Sequence, residues 1–171
     1  MKKIIITIVA ATFVCATFAQ TPEQLQQGSI GIQTSITNMN LKFTNGVDFG
    51  FNVAGGYFIM DKLAGLAVIG LNAIAGQQGE EGITIFNFSL GGRYYPLMLG
   101  PGSLFGDFLF NLSTGGPSGA TPTIVGIGIN AGYAFFLNRH VSIDPLMWLD
   151  IPFSKGTRVN LGIGAAITVY L

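Results

Sequence analysis

Apolar and polar positions alternate without a break over the C-terminal stretch Arg158–Leu171. The odd-numbered face is wholly apolar, from Val159 to Leu171, whereas the even-numbered face is small or polar until Tyr170. Soluble strands are usually about 5–6 residues long, so a period of two held over this distance is unusual. A lipid-facing strand points oily side chains outward and small or polar ones into a narrow lumen. The stretch therefore predicts the closing strand of a transmembrane β-barrel.

The same alternation recurs along the chain and predicts an antiparallel up-and-down barrel of eight strands. The predicted strands are Gly28–Ile36, Val47–Ile59, Leu63–Ala75, Ile83–Tyr95, Leu104–Leu112, Thr123–Leu137, Val141–Ile151 and Arg158–Leu171. Polar outer loops (Thr37–Gly46, Gly76–Gly82, Ser113–Pro122, Pro152–Gly156) are predicted to alternate with periplasmic turns (Met60–Lys62, Pro96–Ser103, Asn138–His140). The stretch Leu63–Ala75 is apolar on both faces, so its orientation is open. An even strand number places both termini on the periplasmic side.

Composition supports strands over membrane helices. Charged residues make up 9% of the chain, against about 25% in ordinary soluble domains. The mean hydropathy is +0.54. Nevertheless, beyond the amino terminus no apolar run reaches the roughly 18–20 residues that a spanning helix needs. Alternating strands account for both observations.

The N-terminal stretch Met1–Ala19 has the pattern of a secretory signal peptide, with Lys2 and Lys3 before an apolar segment and small residues at the cleavage site. Cleavage after Ala16 is the alternative. Residues 20–171 would then form the barrel domain, free of disulfides because the single cysteine lies within the signal peptide. The mature chain would be slightly acidic, which does not indicate nucleic acid as a partner.

A tyrosine recurs once per predicted hairpin, at Tyr57, Tyr94, Tyr133 and Tyr170. The first three share the lipid-facing parity and precede a periplasmic turn. Tyrosine is enriched where hydrocarbon meets water, because its ring is apolar and its hydroxyl is polar. We therefore predict that Tyr57, Tyr94 and Tyr133 form an aromatic girdle.

Together with the signal peptide and the alternating C-terminal strand, the strand ends Gly-Gly-Arg-Tyr-Tyr-Pro (91–96) and Gly-Tyr-Ala-Phe-Phe-Leu-Asn-Arg (132–139) make the chain resemble the small eight-stranded outer-membrane β-barrel proteins of Gram-negative bacteria. The resemblance covers residues 28–171. It implies a monomer in outer-membrane lipid, placed there by the barrel-insertion machinery through the C-terminal strand. Such proteins usually end in an aromatic residue, whereas here Tyr170 is penultimate and Leu171 is last.

Charged residues of lumen-facing parity are few, and the predicted turns bring some of them together. Across the turn Pro96–Ser103, Arg93 is expected opposite Asp107, and Asp144 is expected to join them from the seventh strand. Unpaired charges in a narrow lumen are costly, which favours pairing. We predict that such pairs plug and rigidify the barrel.

A second pair is expected near the outer end, where Asp150 and Arg158 flank the loop Pro152–Gly156 and Asp48 lies nearby. An interior of eight strands is about wide enough to be filled by side chains. The bulky residues of inward parity would fill much of it: Phe58, Tyr95, Phe105, Trp148 and Tyr170. The alternative is a gated ion or proton path, which would make the protein a small pore.

Other classes of function have weaker support. A rim hydrolase needs a base beside a nucleophilic serine, yet the single histidine, His140, is predicted in a periplasmic turn with Ser142 two residues on. No cysteine and histidine cluster has metal-ligand spacing, and no cofactor motif is present. An adhesive barrel would act through its outer loops, which are short here. A soluble lipocalin-like barrel would place the apolar face inward. We therefore expect a structural or interaction role without catalysis.

Overall fold

The computed structural model describes residues 22–42, 46–74, 82–116, 123–154 and 158–171. The predicted signal peptide, Met1–Ala19, and the domain boundary after it lie outside these residues. The described chain forms a closed antiparallel barrel in which each of the eight strands pairs with its neighbour in sequence and the last pairs with the first. The predicted all-β, up-and-down architecture is confirmed.

The strands follow a short 3-10 turn at Glu23–Leu25 and occupy most of the described residues. Their bounds are β1 (Ile30–Lys42), β2 (Gly46–Met60), β3 (Leu63–Ile74), β4 (Ile83–Leu99), β5 (Gly102–Gly116), β6 (Thr123–Phe136), β7 (Val141–Pro152) and β8 (Asn160–Tyr170). Tight turns join β2 to β3, β4 to β5 and β6 to β7 at the end that also carries both termini of the barrel. We call this the turn end, and the opposite end the loop end.

Three strands run several residues further than their hydrophobic pattern predicts. β1 continues to Lys42, into the predicted loop, β5 continues to Gly116, and β4 continues to Leu99 through the first half of the predicted turn. Backbone hydrogen bonds between strands do not depend on the polarity of the side chains. Because each backbone N–H and C=O of a membrane barrel needs a partner within the sheet, strands can continue through polar residues. Pro96 has no N–H to give, and it lies within a register irregularity between Tyr94 and Leu97.

The apolar face of the strands points away from the barrel axis. In β8, Ile163 is 80% exposed, whereas Tyr170 faces inward and is 2% exposed. β3, whose pattern is ambiguous, buries Ala64 and exposes Ile69. The lipocalin-like alternative is therefore wrong. Within the described ranges, no helix is long and apolar enough to cross a membrane.

The buried core lies at the turn end of the lumen instead of along its whole length. Phe58 stacks on Tyr95 with ring centroids 5.8 Å apart, and Tyr95 lies 5.9 Å from Phe105. The buried cluster consists of Leu25, Phe58, Ala64, Tyr95, Met98, Phe105, Ala134 and Tyr170. Bulky side chains thus fill the turn end.

The segment before β1 also takes part in this closure. Leu25, in the 3-10 turn, is fully buried in the aromatic cluster. Its carbonyl accepts a hydrogen bond from the Lys62 N–H at 2.8 Å, and the Gly28 N–H donates to the Phe58 carbonyl at 2.9 Å. We call residues 22–29 the N-terminal segment. It is held across the turn end by the turn between β2 and β3.

Candidate functional site

The centre of the lumen is occupied by an ion pair between neighbouring strands. Arg93 of β4 lies directly opposite Asp107 of β5 in the register. The Arg93 Nε donates to Asp107 Oδ1 at 2.6 Å, and Nη2 donates to Oδ2 at 2.8 Å. Both side chains are almost completely buried. This two-bond geometry is the strong form of a charge-assisted hydrogen bond.

A second carboxylate, Asp144 of β7, lies across the lumen with its Oδ2 4.0 Å from Arg93 Nη1. Its Oδ1 accepts a hydrogen bond from Ser142 at 2.6 Å, and its Oδ2 accepts from Gln33 at 3.1 Å and from Thr168. Neutral donors therefore satisfy most of this buried charge. The structure brings Arg93, Asp107 and Asp144 into one network.

Gln33 of β1 connects Asp144 to Arg93, because its Oε1 also accepts a hydrogen bond from Arg93 Nη2 at 3.1 Å. Asn130 donates to Asp107 Oδ2 at 3.0 Å from the next strand. We call the set Gln33, Arg93, Asp107, Asn130 and Asp144 the lumen network. Sequence reasoning missed Gln33 and Asn130. Their signal was an amide side chain at an inward position, level with the charges.

The lumen network rests on the aromatic cluster of the turn end. The Arg93 guanidinium carbon lies 4.0 Å from the centre of the Phe105 ring. Below it, the hydroxyl groups of Tyr95 and Tyr170 are 3.4 Å apart, and Ser142 Oγ is 3.3 Å from the Tyr170 hydroxyl. Network and cluster together form a continuous floor across the barrel, closed from below by the N-terminal segment.

The second predicted pair does not form. β8 begins only at Asn160, which lies opposite Asp150 in the register, so Arg158 falls before the strand and is exposed. Asp150 Oδ1 instead accepts a hydrogen bond from Asn111 Nδ2 at 3.0 Å. This bond passes over Gly128, where a Cβ would lie 2.8 Å from Asn111 Nδ2. The side chain of Asp48 lies outside the described part of the structure.

Above the floor, the loop half of the lumen holds a cavity of about 960 Å³. Its wall mixes apolar side chains, such as Leu66 and Val68 of β3, with polar ones, such as Asn111 of β5 and Asp150 of β7. The expectation of a lumen filled throughout its length is therefore wrong. Small residues explain the difference, because the inward positions of β6 in this half include Gly126 and Gly128.

No family model and no curated protein matches the sequence. The solved structures that match over most of their length include Neisserial surface protein A (12% identity, 82% of this chain and 95% of that one, TM-score 0.56), the N-terminal β-barrel domain of Pseudomonas aeruginosa OprF (14%, 85% and 98%, 0.57) and Yersinia pestis Ail in a phospholipid bilayer nanodisc (15%, 85% and 100%, 0.56). The fold is that of a small outer-membrane β-barrel.

The three tyrosines of the predicted girdle lie near the turn end of the barrel. Tyr57 and Tyr94 point outward and are each 53% exposed. Tyr133 is half-buried, because its hydroxyl donates to the Leu99 carbonyl of the neighbouring hairpin. Its ring lies beside Phe135, with centroids 6.5 Å apart. Tyr170 faces the lumen instead, as its even position requires.

The residues considered for catalysis are placed in structural roles at the turn end of the barrel. His140 is exposed in the turn between β6 and β7, and its Nδ1 lies 3.1 Å from the Tyr170 carbonyl oxygen. Ser142 is fully buried and donates to Asp144, as described above. Among the described residues, no group of histidine, cysteine, aspartate or glutamate has a geometry that fits a metal ion.

Proposed function

We propose that the protein is an integral outer-membrane barrel that is closed to ion flow and has a structural or interaction role. The membrane location is supported by the exposed apolar side chains that surround the barrel, such as Phe88, Phe110, Ile129 and Ile167. The hydrocarbon of a bilayer covers such a surface on all sides and spares it the penalty of exposure to water. The turn end would face the periplasm and the loop end the exterior.

The observation that carries this proposal is the floor of the lumen. A conducting path would have to pass Arg93 and Asp107, each 4% exposed, and then the rings of Phe58, Tyr95 and Tyr170, each 2% exposed. These side chains are hydrogen-bonded or packed on one another, so opening the path would mean separating a buried ion pair. The charged residues of the lumen network therefore act as structural braces in this proposal.

Planar-bilayer recording tests the proposal against the small-pore alternative. The purified barrel should insert without steady conductance steps. Folding of the same sample is established independently by heat-modifiable gel mobility, with a faster-migrating form before boiling. A steady, large conductance from a sample that shows the folded form would overturn the closed-barrel proposal in favour of a transport role.

We propose that the barrel is a monomer in outer-membrane lipid and that the insertion machinery engages β8, the strand that completes the ladder with β1. We propose no catalytic role, no cofactor and no nucleic-acid partner. Depletion of the insertion machinery should leave the chain unfolded in the periplasm, which fractionation and gel mobility would detect.

A further inference from the structure

Among the described residues, the charged side chains that line the cavity in the loop half are two cations, Arg93 and Arg158, and two carboxylates, Asp107 and Asp150. Arg158 lies before β8 and is exposed, so water and salt screen its charge. Arg93 lies with Asp107 and Asp144 in the lumen network. Within the described ranges, no ion pair reaches Asp150, and its hydrogen-bond donor is the neutral amide of Asn111.

Asp150 is half-buried and lines the cavity. A carboxylate held in a narrow, partly apolar space is costly unless a cation or several donors compensate it. The Asn111 amide supplies one donor, while the Oδ1 of that same amide has no hydrogen-bond donor of its own in the described structure. This corner of the cavity therefore has more hydrogen-bond acceptors than donors.

An aromatic ring adjoins this carboxylate. Trp148 precedes Asp150 by two positions on the same face of β7, about 6.6 Å away along the strand. Both line the cavity, and the ring packs on the wall of β8, where Gly162 leaves room for it. A tryptophan face beside a carboxylate attracts ammonium groups, through the ring quadrupole and through charge.

We propose that this corner, formed by Asn111, Trp148, Asp150 and Asn160, is a binding site for a small organic cation that enters from the loop end. The carboxylate of Asp150 supplies the charge, Trp148 supplies the aromatic face, and the amides of Asn111 and Asn160 border them. The cavity volume of about 960 Å³ is at the upper end of the range of ligand pockets, so space does not limit such a ligand. This binding site would exist whether or not ions pass the floor of the lumen.

The test uses the full mature barrel in a non-ionic detergent, because zwitterionic detergents carry the same quaternary ammonium group as the probe. Trp148 is the single tryptophan of the chain, so its fluorescence reports on this site alone. Choline is titrated as the probe, and 3,3-dimethylbutan-1-ol serves as its neutral isostere. Choline should bind at least about tenfold more tightly than the alcohol, because ionic contacts contribute more than neutral ones.

The variant Asp150→Asn removes the charge and keeps an acceptor for Asn111, and it should weaken choline binding by about tenfold. The matched control is Asp61→Asn, which removes an exposed carboxylate at the turn end and should leave binding unchanged. Arg158→Gln should bind choline as tightly as the wild type or more tightly, because Arg158 is the chain's own cation near the rim of the cavity.

Three results would overturn the proposal. The first is equal binding of choline and the neutral alcohol by the wild type, which requires no variant to fold. The second is unchanged choline binding by a folded Asp150→Asn barrel. The third is the absence of choline binding in the wild type together with its appearance in Arg158→Gln, which would make Arg158 the natural counter-ion and the site a structural one.

Discussion

Replacing Arg93 by methionine should strongly destabilise the barrel. Methionine replaces the aliphatic stem of arginine with an apolar chain of similar volume, but it gives up both hydrogen bonds to Asp107 and the one to Gln33. The loss of packing is therefore small. Asp107 then keeps a side chain that is 1% exposed and Asp144 one with no exposed surface, and among the described residues neither has another cation within ion-pair distance.

Breaking a buried pair by removing one partner costs about 3–5 kcal/mol, mainly because a charge is left buried without compensation. Asp107 keeps its hydrogen bond from Asn130, and Asp144 keeps those from Ser142, Gln33 and Thr168. We therefore expect a loss of about 3 kcal/mol, at the lower end of this range, for Arg93→Met. The double variant Arg93→Met/Asp107→Leu should lose less than the two single variants added together, because it removes the stranded carboxylate as well.

The assay is reversible urea unfolding in lipid vesicles, followed by the fluorescence of Trp148. The control is Arg139→Met, since Arg139 lies 3.9 Å from Glu23 with both side chains about three-quarters exposed (74% and 77%). Exposed pairs contribute little to stability, so this control should unfold at the wild-type urea concentration. A loss below about 1 kcal/mol for Arg93→Met, or additive effects in the double variant, would refute the idea of a stabilising buried pair.

Three further changes test other parts of the account. Leu25→Asp should release the N-terminal segment from the aromatic cluster, because it places a charge at a fully buried position; hydrogen exchange at residues 23–29 should then rise while gel mobility stays that of a folded barrel, and unchanged exchange would count against the closure. Gly162→Val should displace the indole of Trp148, since a Cβ there would lie 2.2 Å from Cζ2. We expect a shifted maximum of tryptophan emission and a loss of about 1–3 kcal/mol in the free energy of unfolding. An unaltered spectrum would contradict the packing of Trp148 on β8. Ile129→Arg should cost about 2–4 kcal/mol in vesicles if this outward residue meets the middle of the bilayer, whereas Ile129→Leu should be neutral, and equal stability of the two would place residue 129 outside hydrocarbon.

The period of two was sufficient to predict the fold, since it separates the faces of most strands directly. It failed where both faces carry the same chemistry. In β3, only the register with β2 and β4 decides that Ala64 faces inward and Ile69 outward. The pattern also failed to predict where strands end, because backbone hydrogen bonds extend β1 and β5 through polar residues that the side-chain pattern assigns to loops.

The site was predictable only where a tight turn sets the register. Arg93 and Asp107 lie on either side of such a turn, and counting residues places them opposite each other. The same counting across the loop between β7 and β8 placed Arg158 beside Asp150, whereas the register pairs Asp150 with Asn160. The bond from Asn111 to Asp150 crosses an intervening strand, and it depends on the missing side chain of Gly128. Predicting a contact between non-adjacent strands therefore requires knowledge of the shape of the lumen.

The role of Leu25 was equally inaccessible from local pattern. It is a single apolar residue in the polar run 21–29 and has no periodicity to reveal a strand or a helix. Its burial follows from the tertiary arrangement, because the turn end of the barrel exposes the rings of the aromatic cluster and the preceding segment is long enough to cover them. A lone apolar residue beside a predicted barrel mouth is the signal that would have found it.

The central claim, that the apolar face of each strand meets hydrocarbon, is tested most directly by spin labelling of β8. The single cysteine, Cys15, lies within the predicted signal peptide, so cysteines introduced one at a time at residues 163–168 of the mature chain would be the sole labelling sites. In vesicles, nitroxides at Ile163, Ala165 and Ile167 should collide often with oxygen, which concentrates in hydrocarbon, and those at the even positions should not. Oxygen accessibility that peaks at the even positions, or that shows no period of two, would contradict the account.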